Sequence, residues 1–247
     1  MPKYRTDSDL EILQHADNEM LAVLVDYLTH NRDGGRWLTE QLTGNEAFIK
    51  SNGNYQDVWQ LIAAELQYFG GDTLANAVRG QGVLYRDILN DVCHKVGMKI
   101  EDSMITTEEL EKALIIKVFK NSWKSMTSDE KASVKTELNI DLDKSDDISL
   151  EVITDGISNG YFSYQVSMLI ASSFANAILG TNIAILAGAA GAIGASRLIG
   201  ALAGPLGIIV TTLLTLPMLS GPAYRVTLPA VIQVAAIRQQ LTHSQSS

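Results

Sequence analysis

Leu198-Ile199-Gly200-Ala201-Leu202-Ala203-Gly204-Pro205-Leu206-Gly207-Ile208-Ile209-Val210-Thr211-Thr212-Leu213-Leu214-Thr215-Leu216-Pro217-Met218-Leu219 runs for 22 residues without a charged side chain. A helix needs roughly 20 residues to cross the hydrocarbon core of a bilayer. Thr211, Thr212 and Thr215 are its main polar side chains. Pro205 and Pro217 would kink or end a helix, though bilayer helices tolerate proline better than soluble ones do. Length and charge give two readings: a membrane span, or a helix buried on all sides in a protein core.

Moving outward, Arg197 stands alone between two uncharged tracts, 161–196 and 198–224. The first tract is the more polar. Residues 183–195 are apolar but short, and extending them back to Met168 adds Ser172, Ser173, Asn176, Thr181 and Asn182. Those side chains suit an amphipathic or bundle-facing helix. The two tracts together predict a hydrophobic helical hairpin over residues 164–219, with Arg197 near its tip. An arginine at mid-bilayer costs roughly 2.5–3.5 kcal/mol; at a tip it reaches the headgroups. Gly200 and Gly204 are spaced as G-x-x-x-G. Gly180, Ala184 and Gly188 repeat that spacing, as do Ala187, Gly191 and Ala195, and Gly194 lies in the same tract. Small residues at such spacing let helix backbones approach closely, although Gly/Ala-rich sequence also produces the spacing by chance. A hairpin keeps both ends on one side, and residues 226–237 then lie at the interface or pack on the rest of the protein.

The charge is divided between the halves. All 28 acidic residues precede Gly156, and only Arg197, Arg225 and Arg238 are basic beyond it. The first 155 residues carry 16 basic against 28 acidic side chains, a net of −12, and the remainder carries +3. Such an acidic domain repels phosphate backbones, so nucleic acid is not an expected partner. It repels anionic lipid too, unless the apolar tail overrides the repulsion. The first residues lack the apolar run of a secretory signal. With one cysteine, Cys93, no intrachain disulfide forms. Cytoplasmic or inner-membrane-associated location is the expectation.

The acidic half reads as short helices with clear punctuation. They are expected from about Ser8 to His15, over 18–29, around 37–42, over 55–69, 73–79 and 84–96, from Thr107 onward, and over 128–138. Val58, Leu61, Ile62, Leu66 and Phe69 form a helical stripe. Thr106-Thr107-Glu108-Glu109 matches a capping box. No segment shows sustained period-two alternation. The chain is therefore expected to be all-α: an acidic helical domain over 1–140, a charged linker over 141–147, and a hydrophobic helical region over 148–247.

Catalytic chemistry finds little footing. The chain has no G-x-x-x-x-G-K-[ST], G-x-G-x-x-G or H-E-x-x-H pattern. His15, His30, His94 and His243 have no histidine or cysteine at metal-ligand spacing. Cys93 and His94 are neighbours, which a helix points about 100° apart. No catalytic residue, cofactor or metal is expected. The densest polar and aromatic block runs over 59–91, where Glu65, Asp72 and Arg79 form a candidate polar cluster. Structural salt bridges and helix caps account for such a cluster more readily than a ligand does.

The run Trp59-Gln60-Leu61-Ile62-Ala63-Ala64-Glu65-Leu66-Gln67-Tyr68-Phe69-Gly70-Gly71-Asp72-Thr73 resembles the YaaW-like family of uncharacterised bacterial proteins. So do Arg79-Gly80-Gln81-Gly82 with Tyr85, Asp7-Ser8-Asp9-Leu10, Leu28-Thr29-His30-Asn31, and Ala223-Tyr224-Arg225-Val226-Thr227-Leu228-Pro229-Ala230-Val231. The resemblance covers nearly the whole chain and carries no site residues with it. The family is in turn similar to the chaperone family for assembly of the ubiquinol–cytochrome c reductase complex, which implies a soluble chaperone or assembly factor as an alternative. The leading expectation is a non-enzymatic protein that meets membrane lipid through its hairpin, pore-forming or toxin-like if it self-associates. A protein partner would fit the acidic domain.

Overall fold

The computed structural model describes residues 2–30, 36–37, 40–69, 82–100, 105–138, 150–179 and 222–246. These residues form an all-α structure; among them there is no strand, and His30 and Arg36 form an isolated bridge. The helices are α1 (Asn18–Thr29), α2 (Glu46–Ser51), α3 (Trp59–Phe69), α4 (Tyr85–Lys95), α5 (Thr107–Ser125), α6 (Ser128–Glu137), α7 (Leu150–Ser158), α8 (Ser163–Leu179) and α9 (Pro222–Ser246). Glu11–His15 and Tyr55–Val58 are single 3-10 turns.

Local chemistry explains most boundaries. α1 has the bounds its apolar spacing predicts. At the start of α5 the Thr106 hydroxyl accepts the Glu109 N–H at 3.2 Å, and the Glu109 carboxylate accepts the Thr106 N–H at 2.7 Å. Thr127 and Glu130 repeat this box for α6. Several expectations need correction. The turn of α2 was not expected; the Asn45 carboxamide caps it, accepting from Ala47 and Phe48 N–H. Residues 55–69 are not one helix. The Tyr55 N–H donates to the Asn18 side chain at 2.6 Å and the Gln56 amide to the Ala16 carbonyl at 2.7 Å, and these tertiary bonds hold a tighter turn before α3 begins. The first expected helix shrinks to the turn Glu11–His15. Glu40 and Gln41 are not helical; the Glu40 carboxylate instead accepts the Thr43 hydroxyl at 2.8 Å.

α9 occupies the centre. Residues 226–237 are all buried, so this helix is enclosed on every side rather than laid on a surface. α8 packs along it, and α1, α3, α4 and α5 close around it. The expectation for 226–237 left two placements open; the structure puts the segment inside the bundle. Leu24, Leu28, Ile62, Leu66, Tyr85, Phe119 and Phe174 join it in one continuous core. The described helices of 148–247 thus share their core with those of 1–140. Pro229 lies inside α9. Lacking an N–H, it leaves the Arg225 carbonyl without its helical donor.

α8 and α9 are antiparallel. The Ser163 hydroxyl donates to Gln239 Oε1 at 2.6 Å, and the Tyr164 ring stacks on His243 with centroids 4.6 Å apart. From that pinned end α8 runs on to Leu179 and α9 runs back to Pro222. Those lengths are about 24 and 26 Å at 1.5 Å per residue. The two helices therefore end at nearly the same level, at the same end of the bundle. α4 is also antiparallel to α9: Tyr85 Oη lies 3.5 Å from the Val231 carbonyl, and Lys95 Nζ sits 4.8 Å over the Tyr224 ring.

Among the described residues, no helix is long and apolar enough to cross a membrane. Residues 164–179 of the expected hairpin belong instead to α8, whose residues 166–175 are buried in the bundle core. Residues 180–219 of that hairpin, the expected helix over 73–79 and the linker 141–147 lie outside the described residues.

Candidate functional site

Glu111 sits on the second turn of α5 beside Leu110 and Leu114, whose spacing turns that face into the core. Its carboxylate is 1% exposed and needs partners. Arg238 of α9 supplies them, with Nε 2.7 Å from Oε2 and Nη2 3.4 Å from Oε1. The Tyr85 hydroxyl donates to Oε1 at 2.7 Å. Arg238 Nη2 also donates to the Asp9 carbonyl at 2.8 Å, while the Asp9 carboxylate accepts the Thr107 hydroxyl at 2.8 Å.

A second carboxylate continues this network. Asp7 is buried and accepts the Tyr85 N–H at 2.7 Å and the Asp9 N–H at 3.1 Å. It thereby caps α4 from 78 positions away, placing negative charge at a helix N-terminus. Gln67 of α3 donates to Asp7 at 3.3 Å and to the Arg5 carbonyl at 2.8 Å, and it accepts the Arg5 N–H at 3.0 Å. Five separate stretches of chain meet here: the N-terminal segment, α3, α4, α5 and α9.

Burial pushes the Glu111 carboxyl up, against the lowering pull of Arg238 and Tyr85. Burial would lower the Arg238 guanidinium, yet Glu111 beside it raises it. Burial and the neighbouring Glu111 drive the Tyr85 phenol well above its ordinary value, so it stays protonated and donates. The arrangement holds the bundle together and presents no activated nucleophile.

Other residues stand out in the sequence. Glu65 of α3 is 1% exposed, and one oxygen accepts the Gln41 N–H at 3.1 Å. Burial raises its carboxyl to about 7. Asp72 and Arg79, its expected partners, lie outside the described residues. So do the expected packing residues Gly180, Gly188, Gly191, Gly194, Arg197, Gly200, Gly204 and Pro205. Cys93 is buried and its thiol is pushed up to about 12, while His94 is exposed. The pair shares no site. Among the described residues, no three His, Cys, Asp or Glu side chains converge as cation ligands.

The Arg238–Glu111–Tyr85 contact escaped the sequence because its members are far apart in the chain. The available signal was a lone arginine on an otherwise apolar stretch and a glutamate on the buried face of a helix.

A family model described as a domain of unknown function, DUF3944, matches residues 4–38, the stretch carrying Asp7, Asp9 and α1. Relatives extend over nearly the whole chain. The UPF0174 protein YaaW of Escherichia coli K12 is 35% identical over 250 residues, covering 98% of each chain. That of Escherichia coli O157:H7 is 34% identical with the same coverage. A UPF0174 protein of Helicobacter pylori J99 is 33% identical over 241 residues, covering 95% of this chain and 92% of its own. No solved structure matches.

Proposed function

This chain belongs to the UPF0174 family of YaaW-like proteins, and we propose that it is a non-enzymatic membrane-interacting protein whose residues 180–221 insert as a hairpin. One observation carries the reading. α8 and α9 are antiparallel and end at the same level. They form a stem whose ends, Leu179 and Pro222, flank a segment that is uncharged except for Arg197. A hairpin with both ends on one face needs no transfer of the acidic bundle across the bilayer. Gly200 and Gly204 favour close helix contact, so self-association of inserted hairpins would make the protein pore-forming. Its place is then the inner membrane, facing the cytoplasm.

Cell fractionation with carbonate washing of the full chain tests this. Membrane retention that resists carbonate is the expected result. A soluble monomer in which residues 180–221 resist protease overturns it. Release of trapped dye from vesicles separately tests the pore.

A soluble chaperone or assembly factor is the second reading. It is favoured by the burial of 166–175 in α8 and of 226–237 in α9, which makes both flanks of the apolar segment parts of a core. Affinity capture recovering one defined client would support it over insertion.

A further inference from the structure

The two ends of the bundle differ in charge. Arg238 and Thr107 both hold Asp9, and Gln240 donates to the Asp17 carboxylate at 2.6 Å. The end of α9 near residue 240 therefore gathers Asp9 and Asp17, with Glu109 on the first turn of α5; Glu111 is balanced there by Arg238, and Glu108 by Lys112 at 2.9 Å. The opposite end, where α8 stops and α9 starts, is different. There Lys95, in the last turn of α4, lies over the half-buried ring of Tyr224, and Arg225 beside it is exposed. Asp91 is the carboxylate that acts on Tyr224. A tyrosine with flanking Lys and Arg is the chemistry that sits at the headgroup level of a bilayer.

We propose that the end bearing Lys95, Tyr224 and Arg225 docks on an anionic lipid surface and sets the protein's orientation there. This rests on the membrane reading above and adds the lipid class and the contact face. The physical case is a balance of ranges. The acidic end lies about 24 Å away along the stem, roughly three Debye lengths at physiological salt. In the end-on pose its repulsion is screened, while Lys95 and Arg225 lie within reach of the headgroups. Any pose that brings the exposed Asp17 or Glu109 to the surface reverses that advantage.

The test is co-sedimentation of the full chain with vesicles of phosphatidylcholine alone and with added phosphatidylglycerol. We expect tighter binding to the anionic vesicles, weakened by added salt. The double variant Lys95→Gln/Arg225→Gln should lose roughly thirty-fold of that binding. Glu11→Gln, at the far end, should bind like the wild type. Both basic side chains are exposed, and far-ultraviolet circular dichroism checks that the variant keeps its helices. Equal wild-type binding to both vesicle types, or a double variant that binds as the wild type does, overturns the docking face and leaves insertion standing. A wild type that binds neither vesicle overturns both.

Discussion

Arg238 and Glu111, 127 positions apart in sequence, meet as a forked ion pair with N–O distances of 2.7 and 3.4 Å. Removing one partner leaves the other buried and unpaired. Arg238→Ala or Glu111→Ala should each lower stability by about 3–5 kcal/mol, read from urea unfolding. Replacing both with apolar residues of similar volume should recover much of the loss. If each single variant stays within 1 kcal/mol or so of the wild type, the pair is not the brace described above.

Gly82 lies against the backbone of α3. A Cβ there would sit 2.8 and 2.9 Å from the Gln67 carbonyl carbon and oxygen, and the Val83 N–H donates to that carbonyl at 3.1 Å. Backbone atoms cannot rotate aside as a side-chain tip can. Gly82→Ala should therefore destabilise by about 1–3 kcal/mol, visible as a lower melting temperature. An unchanged melt would mean that the two segments separate freely.

Glu65 gives stability a pH dependence. Burial raises its carboxyl from 4.5 to about 7. Between those values the folded protein keeps a proton that the unfolded chain has released. Stability should then fall as pH rises through this window and level off above it. Glu65→Gln keeps an acceptor for Gln41 and removes the titration. It should match the wild type at acid pH and exceed it by up to about 3 kcal/mol above neutrality. Parallel urea melts across the range compare the two proteins; identical slopes count against the assignment.

Cys93 is buried and its thiol is held at about 12, which leaves little of the reactive thiolate at neutral pH. A thiol reagent should modify the native protein only as fast as the bundle opens, and the unfolded protein at once. Rapid labelling of folded protein would show that α4 swings away from the core.

The sequence revealed what repeats locally and missed what is held at a distance. The apolar spacing of α1 and the Thr106–Glu109 box are written within a few residues, and both appear where expected. The 3-10 turn before Trp59 depends on Asn18, 37 positions away. No window of sequence contains that bond. The polar network was invisible for the same reason: the Asp7 carboxylate crosses 78 positions to the start of α4. Glu65 stands out within a polar block of the sequence, but the backbone N–H of Gln41 that answers it has no signature of its own.

The enclosed position of α9 also bears on how the chain is made. Synthesis proceeds from the N-terminus, so α1, α3, α4 and α5 emerge well before the helix that fills the space between them. Until residues 222–246 leave the ribosome, the core that contains Leu24, Leu28, Leu66 and Phe119 lacks its central helix. The acidic helices thus exist for a time as an open shell with exposed apolar surface, the kind of intermediate that aggregates or recruits chaperones. That interval spans the emergence of the uncharged segment as well, so the nascent chain presents its two stickiest surfaces together.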